Sequence, residues 1–250
     1  MASSRRKTGN TGGDSIVRTV IYVALIALAV RTFAYEPFYI PSKSMLPTLL
    51  VGDYLWVSKY SYGYSRHSLP FSLHLFDDRI FYRQPQRGDV VVFKTPVDNR
   101  TDLIKRLVGL PGDHIQVVHR VLMINGEAVK RQAVEDYVDR DEQGVHRHLQ
   151  YIETLPSGRA HIIIEDAGPE IKYDNTEEFV VPPHHFFMMG DARDNSVDSR
   201  YLDSVGYVPE ENLVGRAEII FPSTEASSEP WKFWRWPAHL RWSRFFQRIL

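Results

Sequence analysis

The first strong pattern along the chain is the run SIVRTVIYVALIALAVRTFAY, in which apolar side chains fall all around a helix and leave no polar face. Ile16 to Tyr35 covers 20 positions, which at about 1.5 Å rise per residue is roughly 30 Å, one bilayer core. Arg18 and Arg31 sit near its ends, where long side chains can reach headgroups. The uninterrupted part, Thr19 to Val30, is short for a span. Three readings compete: a buried helix of a soluble domain, a secretory signal cleaved near Thr32-Phe33-Ala34, and an uncleaved anchor over 15–35. The missing polar face argues against the first. The chain beyond Ala34 reads as working protein from its first residue, which favours the anchor over the cleaved signal. Residues 1–14 are small, polar and basic and predict a flexible tail. Arg5, Arg6, Lys7 and Arg18 flank the N-terminal end, so the tail is predicted on the cytoplasmic side and the body outside; Arg31 weakens that bias without cancelling it.

Beyond Tyr35 the texture changes to short apolar runs broken by Gly, Pro and Asp. DYLWVSKY, DVVVFKTP, LIKRLVGL, HIQVVH, VLMINGEAVK, AHIIIED and EEFVVPP read as strands, and Asn125-Gly126 is the strongest hairpin signal in the chain. Long amphipathic helical periods are missing, so residues 36–228 predict a mainly β body of antiparallel hairpins. Segments 61–86 and 130–160 are polar, aromatic and irregular and read as excursions from that scaffold. The C-terminal stretch 229–250, WKFWRWPAHLRWSRFFQRIL within it, interleaves aromatics with Lys and Arg. It reads either as a segment lying in the membrane interface or as a strand or helix covering an apolar patch of the body; an anchored chain favours the interface.

Composition narrows the chemistry. Of 250 residues none is cysteine, which excludes disulfides, thiolate metal sites and a cysteine nucleophile. A net charge of -1 gives no basic field for nucleic acid. Nucleophile-elbow, phosphate-loop, dinucleotide and H-E-x-x-H signatures are all missing. The one S-x-x-K match, Ser4 to Lys7, falls in the tail. His184 and His185 are strand neighbours that point to opposite faces, and GDARDNSVD lacks the glycine and terminal Glu of a calcium loop, so no metal site is expected.

Three stretches remain: EPFYIPSKSMLPTL, RGDVVVFKTP running on to DLIKRLVGLPGD, and GDARDNSVDSR. In the first, Pro41 and Pro47 bracket Ser42 and Ser44 in a stiff loop that suits a nucleophile and equally an ordinary turn. In the second, strand alternation puts Lys105 on one face with Leu103 and Leu107, and Ile104, Arg106 and Val108 on the other. Apolar surroundings lower a lysine's pKa, as a general base requires; a snorkelling edge-strand lysine fits the same pattern. Composition alone leaves both alternatives standing.

Together, and in this order after an anchor, the three stretches resemble the signature boxes of type I signal peptidases, the leader peptidases. The resemblance implies a serine endopeptidase with Ser44 as nucleophile and Lys105 as base. It implies Ser42 as an oxyanion donor, Ser196 as the residue orienting the lysine, and Asp191, Arg193, Asp198 and Arg200 as support. It places shallow substrate pockets at Phe38, Ile40, Met45 and Ile104. The implied partners are exported preproteins with small residues at −3 and −1, membrane lipid and the neighbouring translocation machinery. No cofactor is implied, and the implied location is the cytoplasmic membrane, single-pass, with the catalytic domain on its outer face. Two departures stand out: Ala192 replaces an asparagine common in the family, and the family's paired cysteines are missing. Rival readings are a self-cleaving repressor-type protein, disfavoured by the anchor, and an inactive membrane-held scaffold that binds assembly partners.

Overall fold

The computed structural model describes residues 11–68, 79–141, 144–224 and 239–249. Most of the expected tail, with its Ser4 to Lys7 match, lies outside the described residues, as do parts of 61–86 and 229–250.

The apolar run forms one helix, α1 (Thr11–Phe33), of which Ser15–Phe33 is long and apolar enough to cross a membrane. Its apolar side chains stand open, Ile16 at 66% and Ile26 at 64% exposure, and only 6% of the apolar window is buried. A helix apolar all round and packed on almost nothing of its own chain is suited to lipid, so the buried-helix reading fails. At its exit Tyr64 Oη donates to the Phe33 carbonyl at 2.6 Å, and the two rings meet edge to face. Glu36 accepts from both Arg31 and Lys59, fastening the helix end to the body.

The body is antiparallel β. In chain order its strands are β1 (Tyr35–Tyr39), β2 (Asp53–Ser58), β3 (Val90–Lys94), β4 (Asp102–Gly109), β5 (His114–Val118), β6 (Val121–Ile124), β7 (Glu127–Ala128) and β8 (Lys130–Ala133). They continue with β9 (Tyr137–Asp141), β10 (Gly144–Thr154), β11 (Ala160–Asp166), β12 (Phe179–Val180), β13 (His185–Met189), β14 (Val208–Pro209) and β15 (Leu213–Ser223). The main sheet runs β1-β2-β15-β3-β4-β13-β14, flanked by a β11-β10-β8 sheet that also carries β9 and by a β12-β5-β6-β7 sheet.

All seven stretches read as strands hold strands. The Asn125-Gly126 hairpin forms between β6 and β7 with φ of +55° and +80°, the two left-handed residues a type I′ turn requires. The reading of 130–160 as irregular is corrected: it holds β8, β9 and β10, and β10 pairs with β8, β9 and β11. Its polar, weakly alternating sequence (GVHRHLQYIET in β10) hides these strands because few of their side chains face a core.

The core falls into clusters on the two sides of the main sheet. One joins Ile40, Met45, Leu49, Leu55, Val57, Val90, Val92, Val214, Ala217 and Ile220, with Phe38 and Ile104 packed against it. Another joins Val91, Phe93, Leu107, Phe186, Met188 and Leu213, with Leu103 alongside. The predicted alternation of β4 is therefore realised, Leu103 and Leu107 going one way and Ile104 the other. The described part of the C-terminal stretch, 239–249, lies along β15: Ile220 donates to the Gln247 carbonyl at 3.0 Å, and Phe246 and Ile249 donate back to Ile220 and Glu218, both at 2.9 Å. These described residues pack on the body.

Candidate active site

The loop between β1 and β2 is closed upon itself. Ile40 donates to the Asp53 carbonyl at 2.9 Å and Gly52 donates back to Ile40 at 3.0 Å, clasping the loop's two ends. Inside it Leu49 donates to the Met45 carbonyl at 2.9 Å, and both side chains are wholly buried in the core cluster. Ser44 thus projects from a loop plugged into the core on either side of Pro47. That is how a long connection holds a hydroxyl in one place without regular structure.

Lys105 on β4 lies opposite. Its Nζ is 2.6 Å from Ser44 Oγ, and both side chains are buried, at 3% and 8% exposure. Burial drives the Lys105 pKa down from 10.5 to about 8, against the upward pull of Asp198 and Asp191 and with a small further push from Arg200. Those carboxylates do little to hold a proton on Lys105 because each is already claimed. Asp191 takes a two-pronged bond from Arg106 at 2.8 Å for both contacts and a third from Thr48 Oγ1 at 2.6 Å. Asp198 takes two from Arg200, each 2.9 Å, and one from the Gly190 amide at 3.0 Å. Glu153 is held by Arg193. Burial alone would raise all three acids, yet the facing guanidiniums outweigh it and keep each below its ordinary range. Three arginines thus balance three carboxylates, and a protonated Lys105 would be the surplus charge.

The structure also locates the other expected residues. Ser42 Oγ, at the exposed rim, is 3.4 Å from Ser44 Oγ. Phe38, Ile40, Met45 and Ile104 meet in one apolar cluster beside the pair. Asp191, Arg193, Asp198 and Arg200 are all buried in the network just described. Ser196 Oγ is buried against Gly190, where an added Cβ would come within 2.2 Å of it and 2.5 Å of the Ser44 carbonyl. Gly190 is thus glycine because the Ser44 loop and the Ser196 turn close on it from both sides. No hydrogen bond joins Ser196 to Lys105; the bond from Lys105 is to Ser44. Ala192 donates its amide to the Ser44 carbonyl at 3.1 Å, and its methyl packs with Leu46 and Ile164, which an amide side chain would not fit as well.

Four residues here escaped the sequence reading: Arg106, Thr48, Glu153 and His161. Arg106 has 1% exposure, and its one visible signal was its place between Lys105 and Leu107 in an apolar strand. Thr48 and Glu153 carry no local signal, since their partners lie 143 and 40 residues away. His161 is buried between Glu153 and Asp191, its Nε2 at 3.4 and 4.0 Å from them. Burial and the charge on Arg106 lower its pKa, so it adds no fourth cation to the network. A cavity of about 960 Å³ opens elsewhere, between Val30, Trp56 and Ile249, and is lined by neither Ser44 nor Lys105.

A serine hydroxyl bonded to a buried lysine whose pKa is drawn down to about 8, on a β scaffold behind an apolar helix, has the form of a membrane-held serine hydrolase. Residues 14–222 match the family model described as signal peptidase, peptidase S26. Signal peptidase I of Rickettsia prowazekii (strain Madrid E) is 44% identical over 211 residues, covering 82% of this chain and 78% of that protein. Signal peptidase I of Rickettsia typhi (strain ATCC VR-144 / Wilmington) is 43% identical over the same coverage. A crystal structure of a signal peptidase I from Enterococcus faecalis V583 superposes with a TM-score of 0.33 and 24% identity, covering 54% of this chain and 97% of that one. The chain belongs to the signal peptidase family, peptidase S26. It is a serine endopeptidase, a hydrolase acting on the signal peptides of preproteins, and its apolar helix fits a membrane anchor.

Proposed function

We propose that Ser44 is the nucleophile and neutral Lys105 the general base of this peptidase. The observation that carries the reading is the 2.6 Å approach of Lys105 Nζ to Ser44 Oγ at a point where the neighbouring carboxylates are already paired. Lys105 accepts the Ser44 proton as Oγ bonds to the scissile carbonyl carbon. The resulting oxyanion takes the Ser44 backbone N–H and the Ser42 hydroxyl, a kind of donor whose loss costs about 10²–10³ in rate. Lys105 returns the proton to the departing amine, which leaves as the new N-terminus of the mature protein. It then takes a proton from water, whose oxygen adds to the Ser44 ester carbonyl, and gives that proton back to the departing Ser44 Oγ as the signal peptide is released with a free carboxyl end.

Asp191, Arg193, Asp198 and Arg200, with Arg106 and Glu153, support the pair. Ser196 supports the pair by packing against Gly190 beside the Ser44 carbonyl. Phe38 and Ile104, half-buried above Ile40 and Met45, offer a shallow apolar surface, which suits small side chains at −3 and −1. β13 pairs with β4 only from Arg106 onward, so the Asp102–Lys105 edge lies unpaired among the described residues and supports a substrate added as a strand. The basic N-terminal flank supports a tail, 1–14, on the cytoplasmic side of the cytoplasmic membrane, an anchor over 15–35 and a catalytic domain, 36–228, on its outer face. That placement puts the site at the lipid surface and near the translocation machinery, where anchored preproteins are locally concentrated.

The test is cleavage of a synthetic signal peptide by the detergent-solubilised protein, with Ser44→Ala and Lys105→Ala in parallel. Wild type is expected to cut after the small −1 residue, and both variants to lose activity by roughly 10³ or more. Equal cutting by folded variants would refute the assignment.

A further inference from the structure

The C-terminal segment does more than cover β15. Arg241 and Arg244 both reach across it into the nucleophile loop. Arg241 donates to the Val51 carbonyl at 3.0 Å and to Ser223 Oγ at 3.3 Å. Arg244 forks onto Asp53, with Nε to Oδ1 at 3.1 Å and Nη2 to Oδ2 at 2.6 Å, and the same Nη2 donates to the Thr48 carbonyl at 2.9 Å. Asp53 is wholly buried, and its carboxylate also accepts from the Leu50 amide at 2.8 Å and Ser223 Oγ at 2.6 Å. Arg244 therefore neutralises the buried acid that ends the loop and at the same time holds the loop's middle.

Thr48 is where this bracing meets the catalytic network. Its carbonyl faces Arg244, while its hydroxyl donates to Asp191, the partner of Arg106 on the strand that carries Lys105. The nucleophile loop is thus stretched between two supports. One is the Asp191 side, which also receives the Ser44 carbonyl through the Ala192 amide at 3.1 Å. The other is a segment far along the chain, since Thr48 and Arg244 are 196 positions apart. Ser44 sits on a loop without regular strand or helix, and a reacting oxygen moved by about 1 Å can lose about 10²-fold in rate.

We propose that Arg244 is a positioning residue of the active site, and that the C-terminal segment acts as a strap setting the place of Ser44 through Asp53 and Thr48. The inference rests on the reading of Ser44 as nucleophile. Two variants separate its consequences. Arg244→Met removes the fork and the charge. Arg244→Lys keeps a cation against Asp53, preserving the fold, but one ammonium cannot reproduce the planar fork and the Thr48 bond together.

The experiment measures kcat and KM on a synthetic signal peptide for the full chain in detergent, with the folded fraction checked by thermal melting and Ser44→Ala as control. Arg244→Lys is expected to fold and lose about 10-fold in kcat with KM within about twofold, and folded Arg244→Met to lose about 100-fold. If Arg244→Met does not fold, the kcat loss of Arg244→Lys alone supports the strap. Wild-type kcat in Arg244→Lys, or a defect confined to KM, overturns it. If Ser44→Ala is dead while the Arg244 variants keep wild-type kcat, the strap alone fails. A fully active Ser44→Ala removes the nucleophile reading and the strap with it.

Discussion

Lys105 is the residue on which the chemistry and the stability of this protein pull in opposite directions. Its pKa falls from 10.5 to about 8 because the folded protein disfavours its ammonium. Below pH 8 the lysine is charged in both folded and unfolded chains, and the fold bears the full penalty, about 3 kcal/mol for that shift. Between pH 8 and 10.5 the unfolded chain holds the extra proton, so stability rises with pH; above 10.5 both forms are neutral and the effect ends. Lys105→Met is therefore expected to be inactive yet more stable at pH 7, by up to about 3 kcal/mol, with the gain vanishing near pH 10.5. Denaturant unfolding in detergent at about pH 7 and about pH 10 checks this; a variant less stable at both would show that the ammonium is well accommodated. The sequence made Lys105 a candidate because it shares its strand face with Leu103 and Leu107. It could not decide between a buried base and a snorkelling lysine, because burial depends on Ser44, 61 positions away.

At the scale of elements, β4 carries two functions on neighbouring residues: Lys105 toward Ser44 and Arg106 toward Asp191. The Arg106–Asp191 pair is almost fully enclosed, so removing one partner leaves a buried charge without compensation. Arg106→Met is expected to destabilise the protein by about 3–5 kcal/mol and to cost activity through the Thr48 side of the nucleophile loop. Thermal melting with kcat on the same sample tests it; a loss below about 1 kcal/mol would mean that Asp191 finds other donors. Strands with apolar alternation and the Asn125-Gly126 hairpin were legible locally, because each signal is complete within a few residues. β10 was not: its residues run polar with intermediate burial, and what makes it a strand is partners on both sides, β11 and β8, rather than its own pattern. Glu153 went unseen with it, although it is the counter-charge of Arg193.

For the whole molecule, the division of labour is between a helix that barely touches the body and a body whose site is assembled from distant segments. Ser44 comes after β1, Lys105 lies on β4, the support turn comes after β13, and Arg244 belongs to the far end of the chain. Motif order made the first three readable together, whereas the fourth lay in a stretch that its aromatics and cations assigned to the membrane interface. Because α1 is tied to the body mainly at its exit, deleting residues through Phe33 should leave the fold intact. Such a chain is expected to cut a soluble peptide within about threefold of the full protein, and to lose at least about tenfold on a preprotein embedded in vesicles, since co-anchoring supplies effective concentration. Equal losses on both substrates would mean that the helix shapes the site itself.

The central claim is that a neutral lysine takes the serine proton, and the pH dependence of kcat/KM for the wild-type enzyme, with chemistry limiting, tests it most directly. The account predicts a rate that climbs with a single deprotonation near pH 8, the point to which burial brings Lys105, and then levels off. A rate that stays flat from about pH 6 to about pH 10 would contradict it.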